Sequence, residues 1–314
     1  MTRTPKTQGV FFPKGTNELK EAMLMTTPPD QVLAVQHQLT ERDWRLLGWL
    51  HDHGVLTSFQ IAHALFPSLN YAQRRLTTLT ELRLVERFRP FRLSGGSYPY
   101  HYALAHLGAL IVTASRGQAP PRRGDSTARL HRIATSRNLD HRLGINQFFT
   151  DLAGHERTHP GTRLHQWWPD TRLQSFSPPG TMTIATIHAD GLGVWSEQDT
   201  TVAFYLEHDT GTEALPVLID KLHGYRELRR RGGPAWPVLF WLHSTTREAH
   251  LHERLTGTRA AVPVATAARD RTTNNSPADA IWHVHGHPGP PLRLSDLPMP
   301  DPVNLAAFDD PAVA

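Results

Sequence analysis

Between Thr40 and Gly54 the apolar residues recur at helical spacing, with Trp44, Leu47 and Leu50 on one side. Thr40 and Asp43, three residues apart, have the spacing of a capping box, and Gly54 supplies the stop. The run "SFQIAHALFP" predicts a second helix, opened by Thr57 or Ser58 and stopped by Pro67. "SLNYAQRRLTTLTELRLV" predicts a third, with Leu76, Leu79 and Leu82 inward. The period then changes to alternation in "VERFRPFRLSGGSYPYHYAL", two strands around a turn at Ser94-Gly95-Gly96-Ser97, and "HLGALIVTA" returns to a helix. Three helices followed by a hairpin is the order of a winged helix-turn-helix, predicted over residues 39–114. Residues 1–38 lack periodicity and read as a flexible tail with at most a short helix, and the Pro/Gly/Arg-rich residues 115–129 read as a basic linker.

A second pattern begins near residue 130. A helix over 130–157 is followed by strands "TRLHQWW", "TMTIATIHADGLGVW" and "TTVAFYLEHD". Then come a helix "EALPVLIDKLHGYRELRRR", a strand "WPVLFWLH", a helix "STTREAHLHERL" and a strand near "VPVAT". Three successive strands and a crossover helix predict a mixed sheet with helices on its faces, over 130–287. The runs "VAFYL" and "VLFWL" are apolar on both faces, so both belong inside the sheet. The proline-rich residues 288–314 are expected to be disordered. The fold class is therefore α+β or α/β, with a helical N-terminal domain and a mixed-sheet C-terminal one.

Composition narrows the classes. The 314 residues are 39% hydrophobic and 20% charged, with a formal charge of +4 and no cysteine. Disulfides, thiolate metal sites and a cysteine nucleophile are excluded. No apolar run reaches membrane-spanning length and the first residues lack a signal-peptide core, so a soluble cytoplasmic chain is expected, without a membrane partner. The mild basic balance permits double-stranded DNA as a partner. Asn70, Gln73, Arg74, Arg75 and Thr77 on the third helix are residue types that contact base edges or backbone, and Arg87, Arg89 and Arg92 of the hairpin suit phosphates. The same surface also suits protein contacts.

The strand "TTVAFYLEHD" places Val202, Phe204 and Leu206 on one face and Ala203, Tyr205, Glu207 and Asp209 on the other. Asp190, at the preceding turn, is in reach of Glu207. On the following helix Leu215, Val217, Leu218, Ile219, Leu222, Tyr225 and Leu228 form an apolar arc that contains Lys221. An inward lysine needs a partner, and Glu207 lies at the matching depth. Two acids and a lysine are what Mg²⁺-dependent phosphodiester cleavage uses, with Asp190 and Glu207 on the metal. A structural Lys221–Glu207 pair uses the same residues. Asp209 at the rim and His188 as a base are accessory candidates. In "WHVHGH", His283, His285 and His287 share one strand face, read as a surface strand because the spacing is not that of a zinc site. Tyr225 is read as packing.

The segment "LEHDTGTE", the following "DKLHGY", the preceding "ADG" and the helix with His141 and Asn146 resemble the replication-relaxation family of Gram-positive plasmids and integrative elements. The likeness covers residues 40–260. It implies a DNA-binding protein of a mobile element, acting in plasmid replication, DNA relaxation or transfer alongside other replication or transfer proteins. The element order is also similar to restriction-endonuclease-like nucleases, in which an Asp precedes Asp/Glu-X-Lys. Asp190 and Glu207 match the two acids. Asp209 stands at the lysine position, so Lys221 would act from the helix, and Ala189 stands where a proline is usual. The alternative is a DNA-binding regulator or scaffold whose nuclease-like domain is inert and recruits other proteins. Oligomeric state, DNA sequence and the choice between nicking and double-strand cleavage are not encoded in any legible pattern.

Overall fold

A computed structural model describes residues 10–11, 29–90, 97–173, 187–257, 260–272 and 274–308. The chain forms two compact units, Met1–Asn146 and Gln147–Ala314. Among the described residues no helix is long and apolar enough to cross a membrane.

In unit 1, β1 (Val10–Phe11) and α1 (Pro29–Gln36) precede α2 (Glu41–His53). Thr40 and Asp43 form the expected reciprocal capping box, and Gly54, at φ 85°, ends α2 in a conformation that favours glycine. The buried stripe of α2 is Asp43, Leu46, Leu47, Leu50 and His53, while Trp44, expected inward, is only half-buried. After β2 (Leu56–Thr57), Thr57 and Gln60 make a second capping box for α3 (Ser58–Leu65). Phe66 is extended ahead of Pro67, which ends the helix there. Ser68 caps α4 (Leu69–Glu81), whose Ala72, Leu76 and Leu79 are buried. Leu82, the C-cap, is only partly covered.

Strands β3 (Val85–Pro90) and β4 (His101–Leu104) pair antiparallel from Val85↔Leu104 to Phe88↔His101. Strands β1 and β2 flank them in the order β1-β3-β4-β2. Arg92 and residues 94–96 of the expected turn lie outside the described set. Helix α5 (His106–Ser115) follows. The expected linker is partly wrong: α6 (Arg123–Ala134) is a helix, and its Leu130, Ile133 and Ala134 pack with Val55, Phe88, Ala103 and Leu139. Pro120 and Pro121 stand just before this helix, where proline does not break it.

Helix α7 (Leu139–Thr158) runs through the division between the units. Unit 2 continues with β5 (Thr162–Pro169), the single turn α8 (Asp170–Leu173), β6 (Gly191–Glu197) and β7 (Thr200–His208). Then come α9 (Leu215–Arg230), β8 (Val238–Leu242), α10 (Thr245–Leu255), β9 (Val264–Ala268) and β10 (His283–Val284). Residues 174–186, where the sequence predicts the start of the second strand, lie outside the described set.

The six strands are ordered β10-β9-β8-β7-β6-β5. β5, β6 and β7 are antiparallel neighbours, β7, β8 and β9 are parallel, and β10 is antiparallel to β9. This is the expected mixed sheet, with "VAFYL" and "VLFWL" as interior strands. Both faces are covered. Phe204 packs against Phe148 and Phe149 of α7 at 5.9 and 6.1 Å between ring centroids, and Trp241 meets Phe148 at 5.5 Å. On the other face Ala203, Tyr205 and Phe240 join Leu218, Tyr225 and Leu228 of α9 and Leu251 and Leu255 of α10. Each large apolar side chain so buried contributes roughly 1.5–3 kcal/mol relative to exposure. Gly193 faces the Phe204 ring so closely that a Cβ there would lie 2.2 Å from it.

Two expectations for unit 2 are overturned. The proline-rich C-terminal stretch packs through residue 308: short 3-10 turns at Leu294–Asp296 and Leu305–Phe308 bury Leu294, Leu297 and Phe308. Proline lowers the conformational entropy lost on ordering, so a short segment with a few apolar anchors can dock. The histidine run is not one strand face. Only His283 is in β10, and the chain turns at Gly286 (φ 77°), which carries His287 out of the strand.

Candidate functional site

On α4 of unit 1, Asn70, Gln73, Arg74 and Thr77 are exposed, together with Tyr71. The Arg74 guanidinium lies 5.5 Å from the Tyr71 ring centre. Arg75 is different. It donates from Nε and Nη2 to the Asp43 carboxylate at 2.9 and 2.6 Å, and from Nη2 to the Gln38 carbonyl at 2.9 Å. Burial alone would raise the Asp43 pKa, but the Arg75 and Thr40 hydrogen bonds outweigh it and hold the carboxyl below its usual value. Arg75 therefore ties α4 to the start of α2 and is withdrawn from the candidate DNA set. In the hairpin, Arg87 and Arg89 both sit over Tyr100, at 4.5 and 3.9 Å from its ring centre.

In unit 2 the strand end and helix meet as the alternation predicts. Lys221 Nζ donates to Glu207 Oε2 at 2.8 Å, and lies 3.7 Å from Glu213. Tyr225 OH donates to the other oxygen, Oε1, at 2.6 Å. Glu207 and Tyr225 are each 2% exposed. Burial pushes the Glu207 carboxyl up to about 7, against the pull of Lys221, and the charge of Asp190 adds to the rise. Burial would lower Lys221, but Glu207 overrides it and the ammonium is held more firmly than usual. Burial and the facing Glu207 keep Tyr225 protonated.

Asp190 precedes β6 and accepts the His208 backbone N–H at 2.7 Å, so it also closes the end of β7. Asp209, expected at a rim, is buried and gripped by Arg247, whose Nη2 reaches Oδ1 at 2.8 Å and whose Nε reaches Oδ2. His188 is exposed and faces Asp170 at 3.9 Å, not the Glu207 pair. Val217, assigned to the packed arc of α9, is 46% exposed, because two residues on from Leu215 it points to the opposite side of the helix from Leu215 and Leu218, which pack on the sheet.

The sequence reading missed Tyr225 as a polar partner, although it follows Lys221 at i,i+4 on one helix face. It also missed Arg247 and Arg269. Arg269 donates to the Asp209 carbonyl at 2.7 Å and contacts the His208 ring. Their approach depends on strand order, which no local pattern gives.

Asp190 and Glu207 do not fit Mg²⁺ as they stand. Mg²⁺ needs open oxygen ligands in octahedral array. Both Glu207 oxygens are engaged by protein donors in a buried setting, and the third acid, Asp209, is committed to Arg247. Among the described residues no group of three or more histidine or carboxylate side chains is placed to hold a metal ion.

The family model described as replication-relaxation matches residues 47–239, more than half of the chain. The chain belongs to the replication-relaxation family. The matched span runs from α2 to β8 and includes Asp190, Glu207, Lys221 and Tyr225. Searches of curated proteins and of solved structures found no match.

Proposed function

We propose that the chain is a DNA-binding protein acting in the replication or relaxation of a plasmid or other mobile element. In this reading unit 1 is a winged helix-turn-helix that reads double-stranded DNA, and unit 2 is a nuclease-like sheet that cuts nothing and presents the protein to other replication or transfer proteins. The observation that carries it is the exposed face of α4, where Asn70, Gln73, Arg74 and Thr77 stand side by side in a replication-relaxation family member. Fluorescence anisotropy against duplex DNA tests it. Arg74→Ala and Gln73→Ala should each cost about 1–3 kcal/mol of binding, with a lower salt slope for the arginine change. Unchanged binding in both variants removes the reading.

A second reading is favoured by the convergence of Glu207 with Lys221 and by the charge of Asp190 felt at Glu207. It makes unit 2 a restriction-endonuclease-like nickase with Mg²⁺ on Asp190 and Glu207. The engaged oxygens of Glu207 argue against it, so the non-cutting form is preferred. Incubating supercoiled plasmid with the full chain and Mg²⁺ or Mn²⁺ separates the two. Nicked circles that disappear with Glu207→Gln would replace the first reading with the second.

A further inference from the structure

Unit 2 carries a shallow, solvent-open cavity of about 600 Å³ between α10, β10 and the turn after it, C-terminal to the span matched by the family. That volume is in the range of small-molecule sites. Its charged and titratable lining is Glu248 and His252 from α10, Arg271 after β9, and His283 and His287 around the Gly286 turn. Glu248 is the one carboxylate of this lining, and it is 3% exposed with both oxygens engaged. Oε1 accepts from Thr266 Oγ1 at 2.7 Å, and Oε2 pairs with Arg271 Nη1 at 2.7 Å. Thr266 has one hydroxyl proton, which goes to Glu248, so it accepts from His252 Nε2–H at 2.7 Å. The acid thus serves as an internal anchor that fixes Arg271 and, through Thr266, His252. Arg271 keeps 38% of its side chain exposed despite the pair. The nearby Asp270 is caught by the Thr245 backbone N–H and hydroxyl.

The groups left to meet a ligand are therefore a guanidinium and imidazoles, with no open carboxylate among them. We propose that this cavity binds a small phosphate-bearing anion of the nucleotide class. Guanidinium and imidazole donors on concave walls match phosphate oxygens. The histidines do not converge as metal ligands, which sets the site apart from a zinc centre. The phosphate comes either from a free nucleotide or from the end of a DNA strand.

Calorimetry on the full chain tests the proposal with deoxyadenosine monophosphate, inorganic phosphate and sulfate, and with deoxyadenosine as the control lacking phosphate. The phosphate-bearing probes should bind and deoxyadenosine should not. His283→Ala with His287→Ala should weaken binding at least about tenfold. Both residues are partly or fully exposed, so the fold should survive, and circular dichroism checks this. In an Arg74→Ala background, preference for a 5′-phosphorylated over a 5′-hydroxyl oligonucleotide assigns the DNA end. Equal affinity alongside retained nucleotide binding assigns the free nucleotide. Absence of binding by both phosphate probes at millimolar concentration, or binding unchanged in the double variant, overturns the proposal. These probes do not involve α4, so their failure leaves the DNA-binding reading intact.

Discussion

Lys221 meets Glu207 at 2.8 Å across fourteen positions of sequence, and the pair joins the middle of α9 to the end of β7. The carboxylate is 3% exposed and the lysine 28%, so the lysine sits at the boundary of the core with its charge turned inward. Tyr225, one helical turn on, completes the carboxylate's hydrogen bonding.

Removing the lysine alone should therefore be worse than removing both charges. Lys221→Met leaves a buried carboxylate with only Tyr225, and a loss of about 2–4 kcal/mol is expected from urea unfolding. Adding Glu207→Gln should restore most of it, since no charge then remains to be buried. A double variant as unstable as Lys221→Met would show that the pair is not the cause.

The same carboxyl gives a pH signature. Its folded value of about 7 lies above the ordinary 4.5, so the stability it contributes is fully present below pH 4.5 and is lost as pH rises through 7. The stability of wild type relative to Glu207→Gln should fall between pH 5 and pH 8 by on the order of 2 kcal/mol. Asp151, which burial also pushes up to about 7, titrates in both proteins and cancels in the difference. Melting temperatures across this range, converted to a difference curve, provide the measurement.

Adjacent arginines on α4 should separate cleanly. Arg75→Ala breaks the hold on buried Asp43 and should cost about 3 kcal/mol of unit 1 stability. Arg74→Ala should leave unfolding within about 0.5 kcal/mol of wild type and weaken DNA binding instead. Thermal melts run beside anisotropy titrations would expose an exchange of these roles.

Tyr100 should matter through its ring. With Arg87 and Arg89 both over its face, Tyr100→Leu should release them and weaken DNA binding several-fold, whereas Tyr100→Phe should keep it. Equal losses in both variants would assign the effect to the hydroxyl.

Local chemistry made much of this fold legible. Thr40 with Asp43 marks a helix start by side-chain reach alone, and the alternation in "VAFYLE" fixes which face Glu207 and Phe204 take. The meeting of Lys221 and Glu207 follows because both sit at the same depth on elements joined by a short connection. What was hidden depends on distant partners. Arg75 looks like its exposed neighbour until Asp43, 32 residues earlier, is packed beside it. Asp209 looks like a rim acid until Arg247 arrives from the far side of β8. Proline content argued for disorder after residue 288, but three apolar anchors decided otherwise.

One of those anchors bears on how the chain is made. Phe308 sets its ring edge against Trp168 of β5 at 5.1 Å and lies 5.8 Å from Trp236, so part of the cover over these two tryptophans comes from a residue far along the sequence. During synthesis that part of the cover is missing until Phe308 has emerged. The interval leaves tryptophan surface open on a sheet whose strands have all been made, and such transient apolar surface is what a chaperone engages.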